Sequence, residues 1–205
     1  MSHYPLVTKL FQSAAIAVSL SIAVPTTLTA AIANPTVEIA QNNEDLDPDT
    51  LFNRGVTQLQ QNNYSGAIAS FSAILDENDE DAMAYLGRAI AYRNQGDYRE
   101  AIEDYNASIR LQPDNPNAYL DRGICYYQLQ EYEQAEENYS TAIRYNEQYG
   151  QAYYNRGLSR LKQGEQRNAL ADFRTAAEIY QEQELEEFYQ DALQRIEAIQ
   201  EAGVR

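Results

Sequence analysis

Four stretches of this chain recur in one phase, and that phase restricts the possible fold more than any other property of the sequence. Ala67, Ala101, Ala135 and Ala169 are each separated from the next by 34 residues. An aromatic follows each by four positions: Phe71, Tyr105, Tyr139 and Phe173. Leu51, Tyr85, Tyr119 and Tyr153 precede the alanines by sixteen, and Gly55, Ala89, Gly123 and Gly157 by twelve. A period of this length marks an array of supersecondary units, none of which can bury its apolar face alone. The units run 48–81, 82–115, 116–149 and 150–183.

Within a unit the apolar spacing predicts two helices joined by a turn. In the second unit Tyr85, Ala89 and Tyr92 share one face, Gln95-Gly96-Asp97 supplies a turn, and Ala101, Tyr105, Ser108 and Ile109 mark the inward face of the next helix. Two helices approach to about 8 Å only where side chains are short, which explains the small residues beside each aromatic. After Pro48 the only prolines are Pro113 and Pro116, both between units, where one helix can end and the next begin. Beyond residue 183, Leu185, Phe188, Tyr189, Ala192, Leu193, Ile196 and Ile199 form one apolar stripe opposite Glu186, Glu187, Gln190, Gln194 and Glu197. Residues 184–205 are expected to cap the open apolar end of the array. Their acidic polar side counts against a membrane-surface helix.

These columns resemble the tetratricopeptide repeat, TPR, most closely in the third unit, at Tyr119, Gly123, Tyr126, Ala135, Tyr139 and Ala142. The resemblance implies an all-α, right-handed α-solenoid of four TPR helix-turn-helix units plus a C-terminal capping helix. Gln58 and Arg160 depart from the aromatic late in the first helix, and Gln166 from the Tyr that follows the turn. In the family, the first helices line a concave groove that holds a peptide or protein segment. Carried over by column, the groove residues are Phe52, Asn53, Val56, Leu59, Leu86, Ile90, Leu120, Asp121, Ile124, Tyr127, Tyr154, Asn155, Leu158 and Leu161. The alternative is that several of these pack between helices. There is no Lys between Lys9 and Lys162 and no Arg in the second, fifth or sixth columns, so a family-type clamp for a peptide's terminal carboxylate is not expected. The seventh column reads Arg54, Arg88, Arg122 and Arg156. A structural role is expected for it, with Asp104 and Asp172 as partners of Arg88 and Arg156 through the forked guanidinium.

The N-terminal part reads differently. Lys9 is the only cation in residues 1–33, an apolar run extends from Leu10 to Val24, and Ala31-Ile32-Ala33 ends the stretch. That pattern predicts a cleavable signal peptide at 1–33. The apolar run falls short of the ~20 residues that span a bilayer. The expected destination is a periplasm or comparable lumen, or the exterior. Residues 34–47, polar and acidic, are expected to be a flexible linker.

The side-chain inventory excludes much chemistry. With 31 acidic against 15 basic residues the formal charge is −16, which repels nucleic acid and anionic lipid. One His, His3, and one Cys, Cys125, cannot make a thiolate/imidazole zinc site. Cys125 shares its column with Thr57, Ala91 and Ser159 and reads as a packing thiol. The run Asp76-Glu77-Asn78-Asp79-Glu80-Asp81 lacks the central Gly and terminal Glu of an EF-hand loop. No cofactor, metal or catalysis is expected. The function expected is protein–protein interaction, with a self-assembling module stacking through its end faces as the alternative.

Overall fold

The computed structural model describes residues 46–203. The expected signal peptide and all of the expected linker except Leu46 and Asp47 lie outside the described residues. Those two belong to the fold: Leu46 packs on the first core cluster and the Asp47 carboxylate caps the first helix at Thr50 N, 3.1 Å.

The described residues form helices joined by short turns, with no strand among them. The first repeat is α1 (Pro48–Gln60) and α2 (Tyr64–Glu77), and the second α3 (Ala82–Gln95) and α4 (Tyr98–Leu111). The third is α5 (Pro116–Gln128) and α6 (Tyr132–Tyr145), and the fourth α7 (Gly150–Lys162) and α8 (Gln166–Glu182). Helix α9 (Glu186–Gly203) follows and packs on α8. Each helix packs on its neighbours in sequence. In addition α1 touches α3, α3 touches α5 and α5 touches α7, so these four first helices form the inner layer.

Local chemistry sets the boundaries. Pro48 and Pro116 occupy first turns, where a missing N–H costs nothing. Asp81 accepts from Met83 N and Ala84 N, both at 2.9 Å, and Asn78 accepts from Glu80 N, so these members of the acidic run serve a turn and a cap. The fifteenth column of every repeat, Asn62, Gly96, Gln130 and Gly164, turns the chain with φ between 58° and 97°.

The core is a chain of clusters. Phe71 is fully buried against two glycines: a Cβ on Gly55 would lie 2.7 Å from its ring and one on Gly87 2.5 Å. The aromatic of one repeat therefore fills space that belongs to two first helices. Tyr105, Tyr139 and Phe173 are buried in the equivalent column. At the C-terminal end Ala176, Ala177 and Tyr180 pack against Phe188, Tyr189, Leu193 and Ile196 of α9.

Candidate functional site: the inner groove

The inner layer carries the groove columns, and the structure divides the predicted residues in two. Phe52, Leu86, Ile90 and Leu120 are core: none exceeds 4% exposure. The correction has a simple cause: Phe52 packs into the cluster of Phe71, Leu86 and Ile90 into that of Tyr105, and Leu120 into that of Tyr139. Tyr154, of the same fifth column as Phe52, Leu86 and Leu120, stays half-buried. Val56, Leu59, Ile124, Tyr127, Tyr154, Asn155, Leu158 and Leu161 are half-buried and Asn53 is exposed. The groove that remains is a band of partly exposed apolar side chains with amides near its two ends.

Asp121 is half-buried at the groove's centre but is already engaged. Arg93 Nη1 donates to its Oδ1 at 3.1 Å, with the two side chains 9% and 14% exposed. Burial raises the Asp121 pKa, partly offset by the Arg93 charge. Burial pulls the Arg93 pKa down, but Asp121 and neighbouring groups more than reverse this. Arg93 Nε and Tyr105 Oη are buried without a hydrogen-bond partner among the described residues. Sequence reading missed Arg93, because the pair joins the twelfth column of one repeat to the sixth of the next and occurs once. At the C-terminal end of the groove Arg195 of α9 donates to Tyr154 Oη at 3.0 Å. Burial raises the Tyr154 phenol to about 12.

The arginine column runs along the other side of the first helices. Arg88 grips Asp104 through Nε and Nη2 at 2.7 and 2.8 Å and reaches Ser72 of the preceding repeat at 3.0 Å. Arg156 repeats this with Asp172, at 3.1 and 2.7 Å, and with Ser140 at 3.1 Å. Arg122 instead donates to Asn138 at 2.8 Å and Asn106 at 2.6 Å. Each of the three guanidinium groups also lies over the ring three residues before it, Tyr85, Tyr119 or Tyr153, at 5.3–5.6 Å. One column thus ties together both helices of a repeat and the repeat before. In the first repeat the position of Asp104 is taken by Ser70, which donates to Gln58 Oε1 at 2.7 Å. Gln58 and Arg160, the two departures from the aromatic column, both make polar bridges. Arg160 reaches Glu136 at 2.9 Å and Asp172 at 2.8 Å. The recurrence of Ser72, Asn106 and Ser140 sixteen residues before each arginine was the available signal for the inter-repeat contact.

Cys125 is fully buried, and burial pushes its thiol up to about 12. No group of three or more metal-ligating side chains is assembled among the described residues, and no helix there is long and apolar enough to cross a membrane.

Stacked helical hairpins with an apolar inner groove define a helical-repeat protein of the solenoid class. Family models described as "Tetratricopeptide repeat" match residues 30–82, 52–116, 86–137 and 150–183, and one described as "TPR repeat" matches 125–164. The chain belongs to the tetratricopeptide repeat family. No curated protein matches it in sequence. Among solved structures it is similar to MamA, at 20% identity over 73% of this chain and 96% of that one, with a TM-score of 0.58. It is similar to the first TPR of Spaghetti (RPAP3) bound to the HSP90 peptide SRMEEVD, at 26% identity over 60% and 94% of the two chains, TM-score 0.55. It is also similar to the second TPR domain of human RPAP3 in complex with the HSP70 peptide SGPTIEEVD, at 27% identity over 58% and 94%, TM-score 0.53.

Proposed function

We propose that this protein is an exported, non-catalytic adaptor whose inner groove holds an extended peptide or protein segment. The observation that carries this reading is the band of half-buried Val56, Leu59, Ile124, Tyr127, Leu158 and Leu161 on the inner layer, with Asn53 exposed and Asn155 half-buried beside it. Such a surface buries apolar side chains of a partner while amides bond its backbone. Structurally similar RPAP3 domains are seen with HSP90 and HSP70 peptides, which supports the groove as a peptide seat. Asp121 and its Arg93 counter-charge stand at the centre, so the reading favours an apolar segment over a partner's acidic C-terminus.

The test is crosslinking and capture from the exported fraction, with wild type against Asn53→Ala/Ile124→Asp/Leu158→Asp. Loss of the crosslinked partner from the variant is expected, and equal recovery would refute the groove. Export is tested by N-terminal sequencing of the exported chain, which is expected to begin at Asn34. Self-assembly through the end faces is a weaker reading, because those faces are polar: Thr50 and Thr57 are exposed at one end, and Glu187, Gln190 and Gln194 at the other.

A further inference from the structure

Arg93 is the most buried of the ion-paired arginines among the described residues, and the least satisfied. Its side chain is 9% exposed, against 21% for Arg88, 16% for Arg156 and 19% for Arg160. Arg88 and Arg156 each make three hydrogen bonds to their surroundings. Arg93 makes one, from Nη1 to Asp121 Oδ1. A buried guanidinium ordinarily finds partners for its other N–H groups as well. The buried side-chain atoms without a partner among the described residues are Arg93 Nε and Tyr105 Oη. Arg93 Nη2 and Asp121 Oδ2 take no bond there either but are not sealed in, so both open on the groove. The two halves of one ion pair therefore offer a donor and an acceptor at the groove's centre, and their charges cancel.

We propose that the Arg93–Asp121 pair is a recess for the carboxamide of an Asn or Gln side chain in the bound segment. The carboxamide N–H donates to Asp121 Oδ2, and its oxygen accepts from Arg93 Nη2. This assignment rests on the groove as a peptide seat and adds one specificity-determining position to it. A Lys or Arg side chain there would bond Oδ2 but set its charge against Arg93. An Asp or Glu would bond Nη2 and face the Asp121 carboxylate. An apolar side chain would strip both groups of water and return no hydrogen bond. A carboxamide serves both groups and brings no charge. With 9% and 14% of the two side chains exposed, the pair lies recessed in the groove floor, where a side chain reaches further than a main chain. Ile124, one turn on from Asp121 in α5, is half-buried and apolar, so the residues flanking the carboxamide are expected to be apolar.

Panning a phage-displayed library of random dodecapeptides on the full chain tests this. Enriched peptides are expected to share one Asn or Gln flanked by apolar residues, and to lose binding to Ile124→Asp/Leu158→Asp. In fluorescence polarisation with one such peptide, exchange of its carboxamide residue for Leu, Glu or Lys is expected to weaken binding about tenfold. Those comparisons use the unaltered protein and do not depend on a variant folding. Arg93→Met/Asp121→Leu, which removes both charges together, is expected to bind the carboxamide and Leu peptides equally. Groove-bound peptides with no fixed Asn or Gln, or with Lys or Glu in its place, overturn the assignment and leave the groove reading standing. A carboxamide preference that persists in Arg93→Met/Asp121→Leu also overturns it. Recovery of no peptide that depends on Ile124 and Leu158 overturns the groove reading and this assignment with it.

Discussion

Arg88 and Arg122 occupy the same column, yet their electrostatics have opposite signs. The bidentate bond to Asp104 raises the Arg88 pKa, whereas burial lowers that of Arg122, whose partner Asn138 carries no charge. Asn138→Asp should therefore stabilise the fold by ~1 kcal/mol, raising Tm by a few degrees in a thermal melt. Asp172→Ala removes the carboxylate shared by Arg156 and Arg160, both under 20% exposed, and should cost about 3 kcal/mol in denaturant unfolding. Steric fit is equally local. Gly87→Ala would set a Cβ 2.5 Å from the buried Phe71 ring. The clash should outweigh the ~1 kcal/mol gain in helix propensity and leave a net loss of about 2 kcal/mol. Cys125, with its thiol near 12 and no exposed surface, should react with a thiol reagent at pH 8 only as fast as the chain opens, and at once in denaturant. The Arg–Asp pairs were legible in the sequence because they recur with the period. The Arg93–Asp121 pair was not, because it occurs at one seam only.

At the scale of the element, the 34-residue period is set by turns as much as by helices. The fifteenth column demands a left-handed residue, and Gln130 meets it at φ 63° without the freedom that Gly96 and Gly164 bring. A non-glycine residue is strained there by roughly 1–2 kcal/mol, so Gln130→Gly should raise Tm, by less than that figure implies because glycine loses more entropy on folding. Melting of the single variant measures the balance. The need for a turn at this column was readable from Gln95-Gly96-Asp97, but Gln130 gave no such signal. There the neighbouring helices, already fixed by packing, impose the conformation.

Across the whole molecule, contacts run between neighbouring repeats, so stability is close to a sum of unit and interface contributions. Helix α9 completes the last interface. Truncation after Gln183 would expose Tyr180, Ala176 and Ala177 and should lower Tm markedly, with exchange rising first in α7 and α8 and last in α3 and α4.

The sequence by itself determined the repeat, its phase, the paired helices and the identity of the buried aromatic and small columns. All of these follow from local spacing repeated four times, which neighbouring units read in the same way. The tertiary structure alone decided which apolar residues of the first helices are core and which face the groove. Phe52 and Val56, or Leu120 and Ile124, lie on one apolar stripe at helical spacing, broad enough to face both directions. Only the position of the adjacent helices, set by Gly55 and Gly87 against Phe71 and by Gly123 against Tyr139, buries the first of each pair and leaves the second half-open.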